Sequence, residues 1–213
     1  MQAARVVRNA VETLSAPSTQ ECARIPHRPH RYPVELIDVL ELRGRRRITV
    51  RPVLPQDGPV LQAFVQNLSA ESRRLRFMGG VSELPAAVLE RLTRIDYCSH
   101  LALLGEFFTD GVETVIAEAR YAIEPGEDGA EFAVAVADEW QRLGLATEFL
   151  RRLWAHSVAA GIRRLNAVSL DTNERMIRFA QKSGFTITRA REFPGLLRFK
   201  LESSPAAAAG RLG

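Results

Sequence analysis

Residues 130–146 read AEFAVAVADEWQRLGLA, and the reading of this stretch decides the fold. Phe132 to Val136 form an apolar run of strand character, Ala137-Asp138-Glu139 interrupt it, and Gln141 to Ala146 stand where a long helical pattern begins. A strand therefore feeds a helix N-terminus through a tight turn. The first N–H groups of such a helix have no intrahelical partners, and its end carries roughly half a positive charge, so a phosphate placed there is stabilised. Gly144 has no Cβ and lets a phosphate approach those N–H groups closely. Taken alone, the stretch also reads as a plain strand-to-helix turn in which Gly144 eases packing.

Working outward, the punctuation on both sides is regular. Upstream, residues 46–53 alternate as a half-buried strand, residues 57–68 follow Pro55-Gln56-Asp57 as a helix, and a second helix starts at Ser69, whose hydroxyl can cap it, and ends at Gly79-Gly80. Residues 84–95 form a third helix with Val88, Leu89 and Leu92 on one face. Two apolar runs, 100–108 and 112–123, flank Thr109-Asp110-Gly111, a hairpin signal, and the opening strand makes a third antiparallel neighbour. Downstream, a helix over about 142–160 stops at Gly161, followed by a strand at 164–170 and a helix at 173–183. Two final strands begin at Phe185 and meet near Pro194-Gly195. This order predicts an α/β protein built on one mixed sheet, an α+β arrangement without internal repeats.

The chain has 213 residues, enough for one well-filled core and too few for two generous domains. The expected organisation is a flexible basic tail over 1–33, a folded domain over 34–202 and a flexible C-terminal tail over 203–213. Prolines in IPHRPHRYP resist helix and sheet, although residues 3–14 have the pattern of a short helix, and SSPAAAAGRLG from Ser203 is low in complexity. Of the formal net charge of +4, Arg5, Arg8, Arg24, Arg28 and Arg31 against Glu12 and Glu21 place +3 in the first tail. The folded part is close to neutral, so no nucleic-acid partner is expected. No apolar run approaches the roughly 18 residues of a membrane span. The first residues show no apolar h-region of the secretory kind and Glu12 and Glu21 weaken a transit-peptide reading, so a cytoplasmic location without a membrane partner is expected. Cys22 and Cys98 give neither a disulfide framework nor a metal spacing, and no metal is expected. Two of the 29 basic residues are lysines, Lys182 and Lys200, which leaves few targets for self-modification.

Gln141-x-x-Gly144-x-Ala146 at a strand-to-helix junction resembles the Q/R-x-x-G-x-G/A acyl-CoA signature of the GNAT superfamily of N-acyltransferases. Asn173, Met176, Phe179, Lys182 and Gly184-Phe185 resemble that family's N-x-x-M/A…G-F segment, with eleven residues from the asparagine to the glycine. A narrower likeness runs through Tyr32-Pro33, Ile48-Thr49-Val50-Arg51-Pro52, Gln56-Asp57, and Leu68-Ser69-x-Glu71-Ser72 to Arg76-Phe77. These residues resemble Pat-like bacterial protein lysine acetyltransferases, which usually carry an aromatic where this chain has Arg74. The fold so implied has a mostly antiparallel N-terminal half and a pair of strands splayed at the CoA site.

The resemblance implies acetyl-CoA as cosubstrate and an amine as acceptor, either a protein lysine or a small molecule, with a non-catalytic acyl-CoA sensor as the alternative. It implies that the backbone of Val134, Ala135 and Val136 bonds the pantetheine as an added strand would. The N–H groups of Gln141, Arg142, Leu143, Gly144, Leu145 and Ala146 would hold the pyrophosphate. An N–H near Val134 or Val136 would stabilise the thioester oxygen as it becomes anionic. Asn173 is expected to contact pantetheine or to cap its helix. A lysine amine, with a pKa of about 10.4, needs a base before it can attack. Glu131 matches the position of that base; the alternatives are a solvent-facing edge carboxylate at Glu131, or Glu118 as the base. Ala180 stands where many of these enzymes have a proton-donating tyrosine, so the general acid is unassigned and water is sufficient for a thiolate that leaves readily. Cys98 and His100 share a strand face without a third partner, and His156 reads as a core-edge residue. A monomer or a homodimer is expected.

Overall fold

The structure, a computed structural model, describes residues 31–42, 46–109, 111–123 and 129–203. The helix expected over residues 3–14 and nearly all of the C-terminal tail lie outside the described residues. Alternation of buried and outward side chains places Ile48 and Val50 in the core and makes β2 (Arg47–Pro52). Ahead of it lies β1 (Asp38–Glu41), a short, largely exposed edge strand that pairs antiparallel with β2. Its four residues, DVLE, show no alternation that sequence periodicity could detect.

Three helices follow: α1 (Gly58–Asn67), α2 (Ala70–Phe77) and α3 (Ala86–Thr93). Ser69 caps α2 as expected, its Oγ accepting the Ser72 N–H at 3.1 Å. The stop comes earlier than Gly79-Gly80: Met78 takes the left-handed conformation at φ 53°, directly after Phe77 buries against Leu61, Phe64 and Leu92. Then β3 (His100–Thr109), β4 (Val112–Ile123) and β5 (Ala130–Val136) form the antiparallel meander. Near its centre a Cβ on Gly105 would lie 2.9 Å from the Phe149 ring, so glycine is what lets the next helix press onto the sheet. That helix, α4 (Leu145–Ala159), is followed by β6 (Arg164–Leu170), α5 (Glu174–Lys182), β7 (Thr186–Arg189) and β8 (Leu196–Glu202). Among the described residues no helix is long and apolar enough to cross a membrane.

The eight strands form one sheet in the order β1-β2-β3-β4-β5-β6-β8-β7. On one face α4 and α5 bury Leu145, Phe149, Leu153 and Ala180 against Phe132, Leu165, Ala167 and Phe199. On the other, α1, α2 and α3 close over Ala102, Leu104 and Ala135. Every strand pair is antiparallel except β5 with β6, which pair parallel through Ala130↔Leu165 and Glu131↔Asn166 alone. Beyond that point β5 follows β4 as far as Val136, while β6 follows β8 as far as Leu170. The sheet is therefore two ladders joined at residues 130 and 131 and splayed open toward their other ends, as the resemblance implied.

Candidate active site

The splay exposes a backbone edge. Ala137 donates its N–H to the Ile116 carbonyl on β4 at 2.8 Å, so strand alternation turns the N–H and C=O groups of Val136, Val134 and Phe132 toward the wedge. After β5 a short 3-10 turn at Asp138–Trp140 buries Trp140, whose ring packs 4.7 Å from that of Phe107 with the Arg46 guanidinium 4.9 Å over it. Two left-handed residues, Arg142 at φ 63° and Gly144 at φ 94°, then swing the chain into α4. The first α-helical bond runs from the Glu148 N–H to the Gly144 carbonyl, so the N–H groups of Leu145, Ala146 and Thr147 precede it at the mouth of the wedge. A side chain at Gly144 would meet nothing within 4 Å; its constraint is the backbone angle, not space.

These elements enclose a cleft of about 570 Å³. Val134, Ala135 and Val136 form one wall, Asn173, Met176 and Phe179 the opposite one, and Ser72, Leu75 and Arg76 of α2 the roof; Gln141, Arg142, Gly144, Leu145 and Ala146 line its end. Arg142, Arg175, Arg178 and Lys182 add four cations to this lining, which has no acidic residue. Arg175, Arg178 and Lys182 form one stripe on α5, three and four residues apart. A narrow backbone edge leading to a cationic helix N-terminus suits a pantetheine arm followed by phosphates. Of the residues marked from sequence for the cofactor, Leu143 is not in the lining and packs instead against the core.

Several side chains hold the cleft in shape. Asp138 accepts from the Ser69 N–H at 3.0 Å, the Ser69 hydroxyl at 3.0 Å and the Ser72 hydroxyl at 2.7 Å, tying the start of α2 to the turn after β5. Burial opposes its ionisation, but those bonds outweigh burial and hold its carboxyl below the usual range. Gln141 donates to the Val136 carbonyl at 3.0 Å and accepts from Arg175 at 2.7 Å, bracing the turn against β5 and α5. Asn173 is buried, caps α5 by accepting the Met176 N–H at 3.1 Å, and donates to Ser169 Oγ at 2.8 Å. Its capping role is thus part of the structure.

Glu131 stands at the apex of the wedge, beside Asn166, and is not part of the cleft lining. Ala130 and Phe132 belong to the core on the α4 side, so Glu131 faces the other way, onto the face that carries α1, α2 and α3. Glu118 has no freedom to act as a base. It is buried, bonded to Arg120, and 3.4 Å from Arg76; burial alone would raise its pKa, but Arg120 and then Arg76 outweigh burial and hold it below the usual range. Arg120 is itself 2% exposed and donates to the Leu92 carbonyl at 3.1 Å, with His100 Nε2 at 3.0 Å. Burial and the adjacent Arg120 push His100 down to about 3, so it is a neutral acceptor and not a partner for a Cys98 thiolate. Cys98 precedes β3 in a turn organised by Asp96, and His156 shares a 2.8 Å hydrogen bond with the Tyr121 hydroxyl. The sequence alone did not mark Arg76 or Arg175 for the site, because each reaches the cleft from a helix whose position is set by tertiary packing.

The splayed ladders, the exposed backbone edge and the cationic helix N-terminus define a transferase that takes its group from an acyl-CoA. Residues 71–185 match the Acetyltransferase (GNAT) family; the chain belongs to that family and is an acyl-CoA-dependent N-acetyltransferase. It is 31% identical over 131 residues to Acetyltransferase PA5475 of Pseudomonas aeruginosa, covering 62% of this chain and 70% of that protein. To Acetyltransferase Pat of Mycolicibacterium smegmatis it is 32% identical over 144 residues, covering 63% of this chain and 40% of Pat, so it matches less than half the length of that relative. The GNAT domain of S. lividans PAT superposes with a TM-score of 0.73 at 28% identity, covering 81% of this chain and 100% of that domain.

Proposed function

We propose that the enzyme transfers acetyl from acetyl-CoA to a protein lysine ε-amine by direct attack, with Glu131 as general base. The observation that carries this reading is the place of Glu131 at the apex of the wedge, half-buried on the sheet side that carries α1, α2 and α3 and on the same strand as the edge of Val134 and Val136. In this reading the backbone of Val134 and Val136 holds the pantetheine while Ala135, whose own N–H and C=O face β4, only lines the wall; the Gln141 to Ala146 turn holds the pyrophosphate, with Arg142, Arg175, Arg178 and Lys182 adding charge. The Val134 or Val136 N–H meets the thioester oxygen, a contact that strengthens as charge develops there. Glu131 takes a proton from the incoming ammonium, directly or through water, and the amine attacks the thioester carbon. Ala180 offers no proton donor, so in this reading water protonates the departing thiolate. Similarity to Acetyltransferase Pat and to the GNAT domain of S. lividans PAT supports a protein lysine as acceptor.

The test measures acetyl transfer to lysine-bearing proteins and to small amines alongside CoA binding. Glu131→Gln is expected to lower turnover at least about 100-fold, the usual contribution of a general base, with CoA affinity kept. Equal loss of both would remove Glu131 from that role. Transfer to small amines alone would change the acceptor class, and CoA binding without any transfer would make the protein a sensor.

A further inference from the structure

On the side of the sheet that Glu131 faces, helices cover the half around β3 to β5, while β6, β8 and β7 lie open, with Val168, Arg198, Thr186 and Thr188 exposed. One row of register partners crosses this surface: Glu131↔Asn166, Asn166↔Lys200 and Lys200↔Thr186. Leu165, Ala167 and Phe199 turn into the opposite core, so alternation brings Asn166 and Lys200 to the Glu131 side. Neighbouring strands lie about 4.8 Å apart, which puts Lys200 two spacings from Glu131 with a short asparagine between them. Its flexible four-carbon stem is longer than one spacing and the Glu131 side chain extends toward it over the short Asn166, so a Lys200 stem rotated off Glu202 brings its amine within reach of the Glu131 carboxylate. The Lys200 side chain is 43% exposed and its Nζ rests 2.9 Å from Glu202, an exposed pairing of the kind that contributes little and that a rotation of the stem breaks. The chain's other lysine, Lys182, lines the cleft beside Arg178, away from the apex.

We infer that Lys200 is a self-acetylation site, an acceptor for the acetyl group of the enzyme's own bound acetyl-CoA. The inference rests on the acyl-CoA and base assignments proposed above. The Lys200 ammonium gives a proton to Glu131, directly or through water, and the freed Nζ lone pair attacks the thioester carbonyl carbon. The C–N bond forms as the C–S bond breaks, the CoA thiolate takes up a proton, and the products are Nε-acetyl-Lys200 and CoA. Acetylation removes a positive charge from the row that holds Glu131 and leaves Glu202 to Arg164, 2.8 Å away. Less repulsion then meets a second, cationic amine arriving at the same face.

The test incubates the full chain with acetyl-CoA and no added acceptor, and maps acetylation by peptide mass spectrometry; an added lysine peptide is assayed in parallel. The expected result is label on Lys200 ahead of Lys182, with a first-order rate constant that does not change with protein concentration. Glu131→Gln lowers that rate about 100-fold while CoA still binds, and Lys200→Arg abolishes the label. Three results overturn the inference: an acetylated peptide with Lys200 unlabelled, equal labelling of both lysines that ignores Glu131→Gln, or a rate constant that rises in proportion to protein concentration. If CoA binds and neither Lys200 nor any acceptor is acetylated, the proposed function falls and the self-acetylation site with it.

Discussion

At the scale of single residues, the turn before α4 contains one side chain that the backbone disfavours. Arg142 has φ 63°, in the left-handed region where a Cβ costs about 1–2 kcal/mol. Its guanidinium lines the cationic end of the cleft, so strain and charge act in opposite senses. Arg142→Gly is expected to raise Tm by about 2–4 °C per kcal/mol recovered and to weaken CoA binding, read by thermal unfolding and by calorimetric titration. A variant that unfolds earlier would show that Arg142 contributes packing that outweighs its strain. Gly144 was legible in the sequence because a spacing motif marks it, whereas the strain at Arg142 was not, since no residue type announces a positive φ in arginine.

At the scale of elements, β5 has one side satisfied by β4 and one side turned to the wedge. Proline removes an N–H, so its effect reports which side each residue serves. Ala135→Pro takes a donor from the β4 ladder and should cause the larger fall in Tm. Val134→Pro takes a donor facing the wedge and should spare the fold more while abolishing acetyl transfer. Circular dichroism melts and an acetyl-transfer assay on the pair check this; equal loss of stability would show that the wedge-facing edge is as structural as the ladder. The elements were read well where their periodicity is local. The helix expected at 142–160 begins instead at Leu145 because the turn through Arg142 and Gly144 keeps its N–H groups free of the helix, and β1 escaped notice because four residues, three of them exposed, carry no pattern.

At the scale of the whole molecule, two buried charge clusters join distant parts of the chain. Glu118 on β4 binds Arg120 and, across 42 residues, Arg76 on α2. Glu118→Gln leaves the buried Arg120 and the half-buried Arg76 guanidinium groups without their carboxylate, and breaking such a cluster costs about 3–5 kcal/mol. A fall in Tm of the order of 10 °C should follow, read by calorimetry; a fall of a degree or two would mean that the arginines find water instead. The second cluster joins β2, β3 and the turn at Asp57, where Arg51 binds Asp57 and Glu106. Burial raises the Glu106 carboxyl, Arg51 pulls it down and Glu113 adds to the rise, leaving it near 7 against an ordinary 4.5. The folded protein therefore keeps this proton longer than the unfolded chain does, and the associated stability is lost as pH rises from about 4.5 through about 7. Glu106→Gln, which resembles the protonated form, should gain Tm relative to the parent as pH goes from 5 to 8. A difference that stays flat with pH would place the Glu106 pKa outside that window.

By itself the sequence determined the half of this enzyme proposed to bind acyl-CoA. The strand, the turn with Gly144, the helix N-terminus and the Asn173 cap are made by residues close together in the chain, and the forces involved, orphan N–H groups, capping and backbone freedom, act over one or two turns. Only the tertiary structure decided where β5 and β6 part, that Arg120 and Arg76 hold Glu118, and that Lys200 stands in the row of Glu131. Those outcomes depend on strand register between Glu131, Asn166 and Lys200, and on the arginines that reach Glu118 from another strand position and another helix. Register of this kind is set by the packing of both sheet faces at once, and no local pattern in the chain records it.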